Sequence, residues 1–297
     1  MATDSNLPPA TSQPGRRLVL CADDYGMNSA VTEAVLRLVR AGRSSDQAET
    51  GGLGATSAMV LSPRWREDSR PLSELRGLLD VGLHLDWTSE FALAAGHGMS
   101  LGAAMRHALF GGFDQTAARM VIERQLDAFE AAWEAPPDHI DGHQHVQQFA
   151  GIRQALVEVV ARRYGARAPW LRVSRPPGRL DVKGQIIAAL GANALTSSAV
   201  RAGLPVSRIL SGIYGFDARA GVYARHMAQW LVQAPEGALL MCHPATQAEA
   251  GDEIGPARVR EFEFLGSPAF ADQLRSSGVR LVRGSALYGV SGVRPGA

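Results

Sequence analysis

Short apolar runs alternate with longer segments of helical period along most of the chain. Residues 17–22 (RLVLCA) form the first run, which breaks at Asp23-Asp24-Tyr25-Gly26 before apolar positions resume at helical spacing over 30–41. That pattern predicts a strand, a loop and a helix, with Asn28 or Ser29 as the cap and Glu33 in the first turn. Further strands are predicted at 55–61, 78–85, 170–173, 209–213, 238–242 and 279–282, and one ends in the stretch 139–145. Helices are predicted over 116–135, 151–163, 184–202, 223–233 and 257–276. The first of these sets Met120, Ile122, Leu126, Phe129 and Trp133 against Glu123, Arg124, Asp127 and Glu130. Seven or eight strand-helix units favour an α/β fold closed into a distorted (β/α) barrel over an open sheet. The expected organisation is a disordered tail over 1–16 followed by one barrel domain over 17–290. Residues 43–54 (RSSDQAETGGLG) are polar and glycine-rich, which predicts a mobile loop placed to cover a site.

Composition narrows the class of partner. With 30 basic and 29 acidic residues the formal charge is +1, so no global field draws nucleic acid or an anionic membrane. Cys21 and Cys242 both lie in apolar runs and offer no disulfide framework. The segment MATDSNLPPATSQPG lacks the basic start and apolar stretch of a secretion signal, and no segment reaches membrane-spanning length. The expectation is a cytoplasmic protein without an integral membrane segment. Its oligomeric state stays open, with a homodimer among the options.

Candidate chemistry concentrates at strand ends. Residues 139–145 (HIDGHQH) hold three of the eight histidines and Asp141, and Gly142 lets the backbone turn so that Asp141, His143 and His145 share one small volume. Asp23 and Asp24 follow the first strand; adjacent carboxylates there need a cation or a shared proton, unless they simply make a turn. His84 ends the third run, where a hydrogen-bonded core histidine is the competing reading. His243 stands before Pro244 at another strand end, and a structural role is as well supported as a chemical one. One barrel mouth can collect all of them. Asp24, His84 and His143 then make the protein share of an open metal site. Zinc, cobalt or nickel suit these ligands on softness, and magnesium would be bound more weakly. Asp23 is placed as the base. His243 could protonate a leaving group and would have to be charged to do so.

The motifs ADDYG, TSAMV, GLHL, DGHQHV and MCHPA resemble, in order and from about residue 17 to about residue 288, those of the YdjC-like carbohydrate deacetylases. The resemblance implies a distorted (β/α) barrel similar to that of polysaccharide deacetylases and metal-dependent removal of an acetyl group from an N-acetylated amino sugar. It implies one divalent ion, Mg2+ or Zn2+, on Asp24, His84 and His143, with Asp23 as base and His243 as the late histidine. The substrate would be a small molecule, an oligosaccharide or a glycolipid. Three departures stand out: Gln147 where the family often has a further histidine, Tyr25 where phenylalanine is usual, and the polar insertion at 43–54. Trp65, Trp87 and Trp170 are candidate sugar contacts, although each also suits a core or rim position. Arg172, Asp141 and His145 are further candidate substrate contacts, Arg172 having an ion pair with a site carboxylate as its alternative. Two rival functions are a metal-dependent phosphoester hydrolase and a non-catalytic sugar-binding barrel. Few basic residues accompany the motifs, which provides poorly for phosphate.

Overall fold

A computed structural model describes residues 15–42, 52–177 and 189–289. Its centre is β1 (Arg16–Tyr25), ten residues long and buried from Leu18 onward. Continuous apolar character over that length marks a strand covered on both faces. Three strands pair with it, all parallel: β2 (Ala55–Ala58), β7 (Leu239–Cys242) and β8 (Val279–Leu281). β8 takes the start of β1 at Arg16–Leu18, and β2 takes its end from Cys21 onward. The sheet runs β5-β4-β3-β2-β1-β7-β6, where β3 is Asp80–Leu85, β4 is His139–Gly142, β5 is Trp170–Leu171 and β6 is Leu210–Ser211. β5 and β6 approach each other through irregular segments: Leu171 bridges Val206, and the Leu210 amide donates to the Arg175 carbonyl at 2.8 Å. The result is the expected α/β fold, a distorted parallel barrel with its weakest seam between β5 and β6.

Helices cover the outside: α1 (Ser29–Gly42), α2 (Trp65–Ser73), α3 (Glu90–Ala94), α4 (Leu101–Leu109), α5 (Gln115–Trp133), α6 (Ile152–Tyr164), α7 (Ala192–Arg201), α8 (Val222–Gln233), α9 (Gly255–Leu265), α10 (Pro268–Ser277) and α11 (Ser285–Tyr288). In α1 the residues Val31, Ala34, Val35, Leu38 and Val39 are all buried, the stripe that a period of 3.6 predicts. The parallel strands all end on the same side of the sheet, where the candidate residues sit.

Three expectations are corrected. The single helix over 257–276 is two, because Gly266-Ser267-Pro268 interrupts it: Pro268 has no amide hydrogen to continue the first helix and suits the first turn of the next, and the Ser267 hydroxyl caps that helix by accepting from the Phe270 amide. α2, α3 and α4 were not anticipated; they are five to nine residues long, too short for periodicity to register. β1 begins at Arg16 and continues through both aspartates, so no loop separates them from the strand. Residues 1–14 of the tail expected over 1–16, residues 43–51 of the mobile loop expected over 43–54 and the start of the helix expected at 184–202 lie outside the described residues. Among the described residues no helix is long and apolar enough to cross a membrane.

Candidate metal centre and active site

Alternation along β1 and β4 sets the first layer of the site. Cys21 and Asp23 lie on one face of β1, as do His139 and Asp141 on β4, since side chains two apart share a face. Cys21, His139 and Asp141 surround Ser57 of β2, whose hydroxyl lies 3.6 Å from the Cys21 thiol, 3.1 Å from His139 Nε2 and 2.5 Å from Asp141 Oδ2. His139 is itself fully buried and stacked on Trp170 with ring centroids 4.3 Å apart. It also passes so close to Gly82 that an added Cβ would lie 2.3 Å from its Nε2; only glycine leaves that space.

The backbone is strained where the next layer begins. Asp24 has φ 67°, and Gln144 and His145 have φ 53° and 64°, all in the left-handed region that non-glycine residues seldom occupy. Such conformations cluster at functional sites. Here they accompany an irregularity of the β1–β2 register between Ala22 and Tyr25 and wind the chain after Gly142, and His143 faces Asp24. Asp24 Oδ1 lies 3.0 Å from His143 Nδ1 and 3.3 Å from His84 Nε2, and the three donor atoms fall within 4.8 Å of one another.

This trio passes a test of fit for a divalent cation. Bonds of about 2.0–2.1 Å place neighbouring ligand atoms roughly 3.0–3.4 Å apart, close to the separations found. His84 Nδ1 is held by Asp141 Oδ1 at 2.6 Å, which leaves Nε2 turned to Asp24, the arrangement in which a carboxylate orients a metal-binding imidazole. Asp24 Oδ2 is taken by Arg258 Nη2 at 2.7 Å, so only Oδ1 faces the two imidazoles. Other groupings, Cys21 with His139 and Asp141 or Asp23 with His84 and Asp141, also lie close together. The Arg172 guanidinium contacts Asp141 at 3.0 Å and Asp23 at 2.6 Å, and a cation there would meet its charge.

Electrostatics separate the carboxylates from the imidazoles. Burial raises Asp23, but the Arg172 guanidinium outweighs it and holds the carboxyl below its ordinary value. Asp24 is held well below the usual range, burial being overcome by Arg258 and His143. Asp141 is lowered in the same way against burial by Arg172 and His84. Burial would lower His84, yet Asp141 beside it lifts the ring to about 10. His145 moves the other way, to about 3, through burial and then Arg172.

His243, after β7, points its Nε2 at Asp23 Oδ2 across 3.8 Å. Burial is the main reason its ring falls to about 4. The charged form that protonating a leaving group would require is thus disfavoured at His243 by its burial.

The other candidate contacts divide. His145 is half-buried at the rim, with Nδ1 2.9 Å from the Ser174 hydroxyl. Arg172 does not face a sugar. It is wholly buried and spends both outer nitrogens on Asp23, at 2.6 and 2.8 Å, which is the ion-pair alternative. Asp141, also wholly buried, serves Ser57, His84 and Arg172. Trp87 is packed edge-on against His97 and Phe113, and Trp65 stacks on Phe129, both inside the core together with Trp170. None of these three rings has a face open to a substrate.

Arg258 and Glu261 are site residues that escaped sequence reasoning. Both come from α9, one helical turn apart and both buried. Besides Asp24, Arg258 binds Asp252 at 2.7 Å. Glu261 accepts the His243 backbone amide at 2.5 Å and the Tyr214 hydroxyl at 2.6 Å. The signal available was faint: two charged residues on the helix face that also carries Ala257 and Leu265.

The YdjC-like protein family model matches residues 17–276. A carbohydrate deacetylase of Homo sapiens is 29% identical over 316 residues, covering 96% of this chain and 94% of its own. A chitooligosaccharide deacetylase of Serratia marcescens is 26% identical over 243 residues, covering 77% of this chain and 81% of its own. Among solved structures, an Enterococcus faecalis V583 protein named for cellobiose-phosphate cleavage superposes with a TM-score of 0.67 at 19% identity, covering 92% of this chain and 99% of that one; that likeness is one of fold. The match spans the barrel from β1 to α10, including every strand end that supplies a candidate residue, and the chain belongs to the YdjC-like protein family.

Proposed function

We propose that the protein is a metal-dependent hydrolase that removes the acetyl group from an N-acetylated amino sugar. The observation that carries this reading is the Asp24–His84–His143 trio with a second carboxylate, Asp23, beside it and free of it. A binding protein has no need of the second carboxylate; a hydrolase needs a base next to the water it activates. The relatives named as carbohydrate deacetylases supply the substrate class.

Asp24, His84 and His143 would hold the ion, and a divalent ion there supplies Lewis-acid polarisation of a carbonyl and acidification of water. Two imidazoles and one carboxylate oxygen favour Zn2+ over Mg2+. The remaining work belongs to the chain. Arg172 fixes the plane of Asp23 through two parallel hydrogen bonds, so the carboxylate meets the attacking water in one orientation. Asp23 accepts the proton of that water. His243, with Nε2 3.8 Å from Asp23 Oδ2, passes the proton from Asp23 to the departing nitrogen, and Glu261 holds its backbone in place. Phosphate esters suit the site less well, because Arg172 and Arg258 are already matched by carboxylates.

The test is acetate release from N-acetylated mono- and oligosaccharides after chelation and restoration of single metals, comparing the wild type with Asp23→Asn. The expected outcome is metal-dependent release that the variant loses by about 100-fold or more while still binding metal. Full activity in a folded, metal-loaded Asp23→Asn protein would show that the base has been misassigned.

A further inference from the structure

The rim of the site contains a chain of hydrogen bonds whose directions can be read one from the next. Gln147 lies fully buried beneath the left-handed turn, its side-chain amide 3.1 Å from the Arg172 carbonyl oxygen and 3.2 Å from the Ser174 hydroxyl. A carbonyl oxygen can only accept, so the group facing it must be the amide NH2, and the same NH2 donates to Ser174 Oγ. Ser174 is also buried, and among the described residues its hydroxyl has one other partner, His145 Nδ1 at 2.9 Å. A buried hydroxyl hydrogen goes to an acceptor where one is within reach. With Gln147 already donating to the oxygen, the Ser174 hydrogen is donated to His145 Nδ1, which therefore carries none. The ring proton sits on Nε2.

We infer that His145 is a substrate-facing hydrogen-bond donor, its ring proton held on Nε2 by Ser174 and Gln147, and that it binds an oxygen of the substrate, either an acyl oxygen or a sugar hydroxyl. Three observations place it for that task. No bond to Nε2 is found among the described residues, although Nδ1 is fully engaged. The ring is half-buried at the rim, on the same turn as His143 two residues before it. Its backbone is held at φ 64°, next to a second left-handed residue at φ 53°, a conformation that costs energy and fixes where the ring can go. His145 would touch substrate; Ser174 and Gln147 are positioning residues that act through it.

The inference rests on the deacetylase reading for the identity of the substrate and not for the position of the proton, so the two can fail separately. The proton is located by 1H–15N correlation spectra of 15N-histidine-labelled protein without substrate, with the His145 signals assigned by their absence from His145→Gln. The expected result is an Nε2–H tautomer in the wild type and a mixture of tautomers in Ser174→Ala. An Nδ1–H tautomer in the wild type overturns the inference whatever the enzyme's substrate. Contact with substrate is read from kinetics: His145→Ala should lower kcat/KM by about 100-fold, the scale of losing one donor to a developing oxyanion, and His145→Gln, whose amide can donate from a similar position, should recover part of it. A loss confined to kcat assigns the acyl oxygen, and a rise confined to KM assigns a hydroxyl. Unchanged kinetics in His145→Ala with metal binding intact overturn the contact. If the wild type releases acetate from no glycan, the deacetylase reading fails, and the spectra still decide where the proton is.

Discussion

Arg172 concentrates what happens at the scale of single residues. A guanidinium with no exposed surface bridges two carboxylates, Asp23 and Asp141, that belong to different strands. Removing one member of a buried ionic group leaves its partners charged and unpaired, which costs about 3–5 kcal/mol. Arg172→Met should lose about that much in urea unfolding at pH 7; a change under about 1 kcal/mol would mean that Asp23 and Asp141 are not held by this contact. The positive charge of Arg172 was visible in the chain, but its partners were not, because they lie 149 and 31 positions away. Histidines are few enough that His84 and His143 drew notice at once. Ser57 and Ser174 belong to a common residue type and carry no such signal, though each fixes a group of the site.

At the scale of elements, α9 clamps two strand ends with one face: Arg258 takes Asp24 after β1, and Glu261 takes the His243 amide after β7. Burial pushes Glu261 up to about 7, against the opposing effects of the His243 amide, Tyr214 and Arg258. An ordinary glutamate titrates near 4.3. A folded-state value above the unfolded one means that the fold prefers the protonated carboxyl. Its contribution is present in full below about pH 4.3 and is lost as pH rises through 7. Between pH 5 and 8 the wild type should therefore lose up to about 3 kcal/mol relative to Glu261→Gln, whose amide oxygen can still accept from His243. Unfolding free energies for the two proteins at pH 5, 6, 7 and 8 would reveal this; parallel curves would contradict it. Periodicity identified a helix in this region, since its spacing is a local property. That its inward face carries charge depends on what it packs against.

At the scale of the whole molecule, the barrel brings groups from β1, β3, β4, β5, β7 and α9 to one mouth. Three buried carboxylates, Asp23, Asp24 and Asp141, face two buried guanidiniums, Arg172 and Arg258, and the His84 ring, lifted to about 10, whose proton a bound cation would replace. A divalent cation held by residues so far apart in sequence should stabilise the entire fold. At one hundred times its dissociation constant a ligand adds about 2.7 kcal/mol, roughly 4 °C in melting temperature for a chain of this length. Thermal unfolding of chelated protein with and without Zn2+ measures it, with Asp24→Ala as the control that should not respond. Equal melting temperatures for the wild type with and without every metal tried would remove the metal from the proposed mechanism.

The strand-helix alternation, the parallel α/β architecture and the placing of chemistry at strand ends were all determined by the sequence alone, because they follow from spacings of two and 3.6 residues and from chain connectivity. The histidines and aspartates of the candidate centre were legible for a related reason: strand ends in a parallel barrel share one mouth, so position along each strand is enough to bring them together. Only the tertiary structure decided which carboxylate meets a guanidinium, which imidazole is neutral, and that Trp65, Trp87 and Trp170 are core. Those outcomes depend on burial and on contacts between residues distant in the chain. A left-handed turn at Asp24 or His145 is likewise imposed by what surrounds it, since neither residue type prefers that conformation by itself strongly enough to announce it.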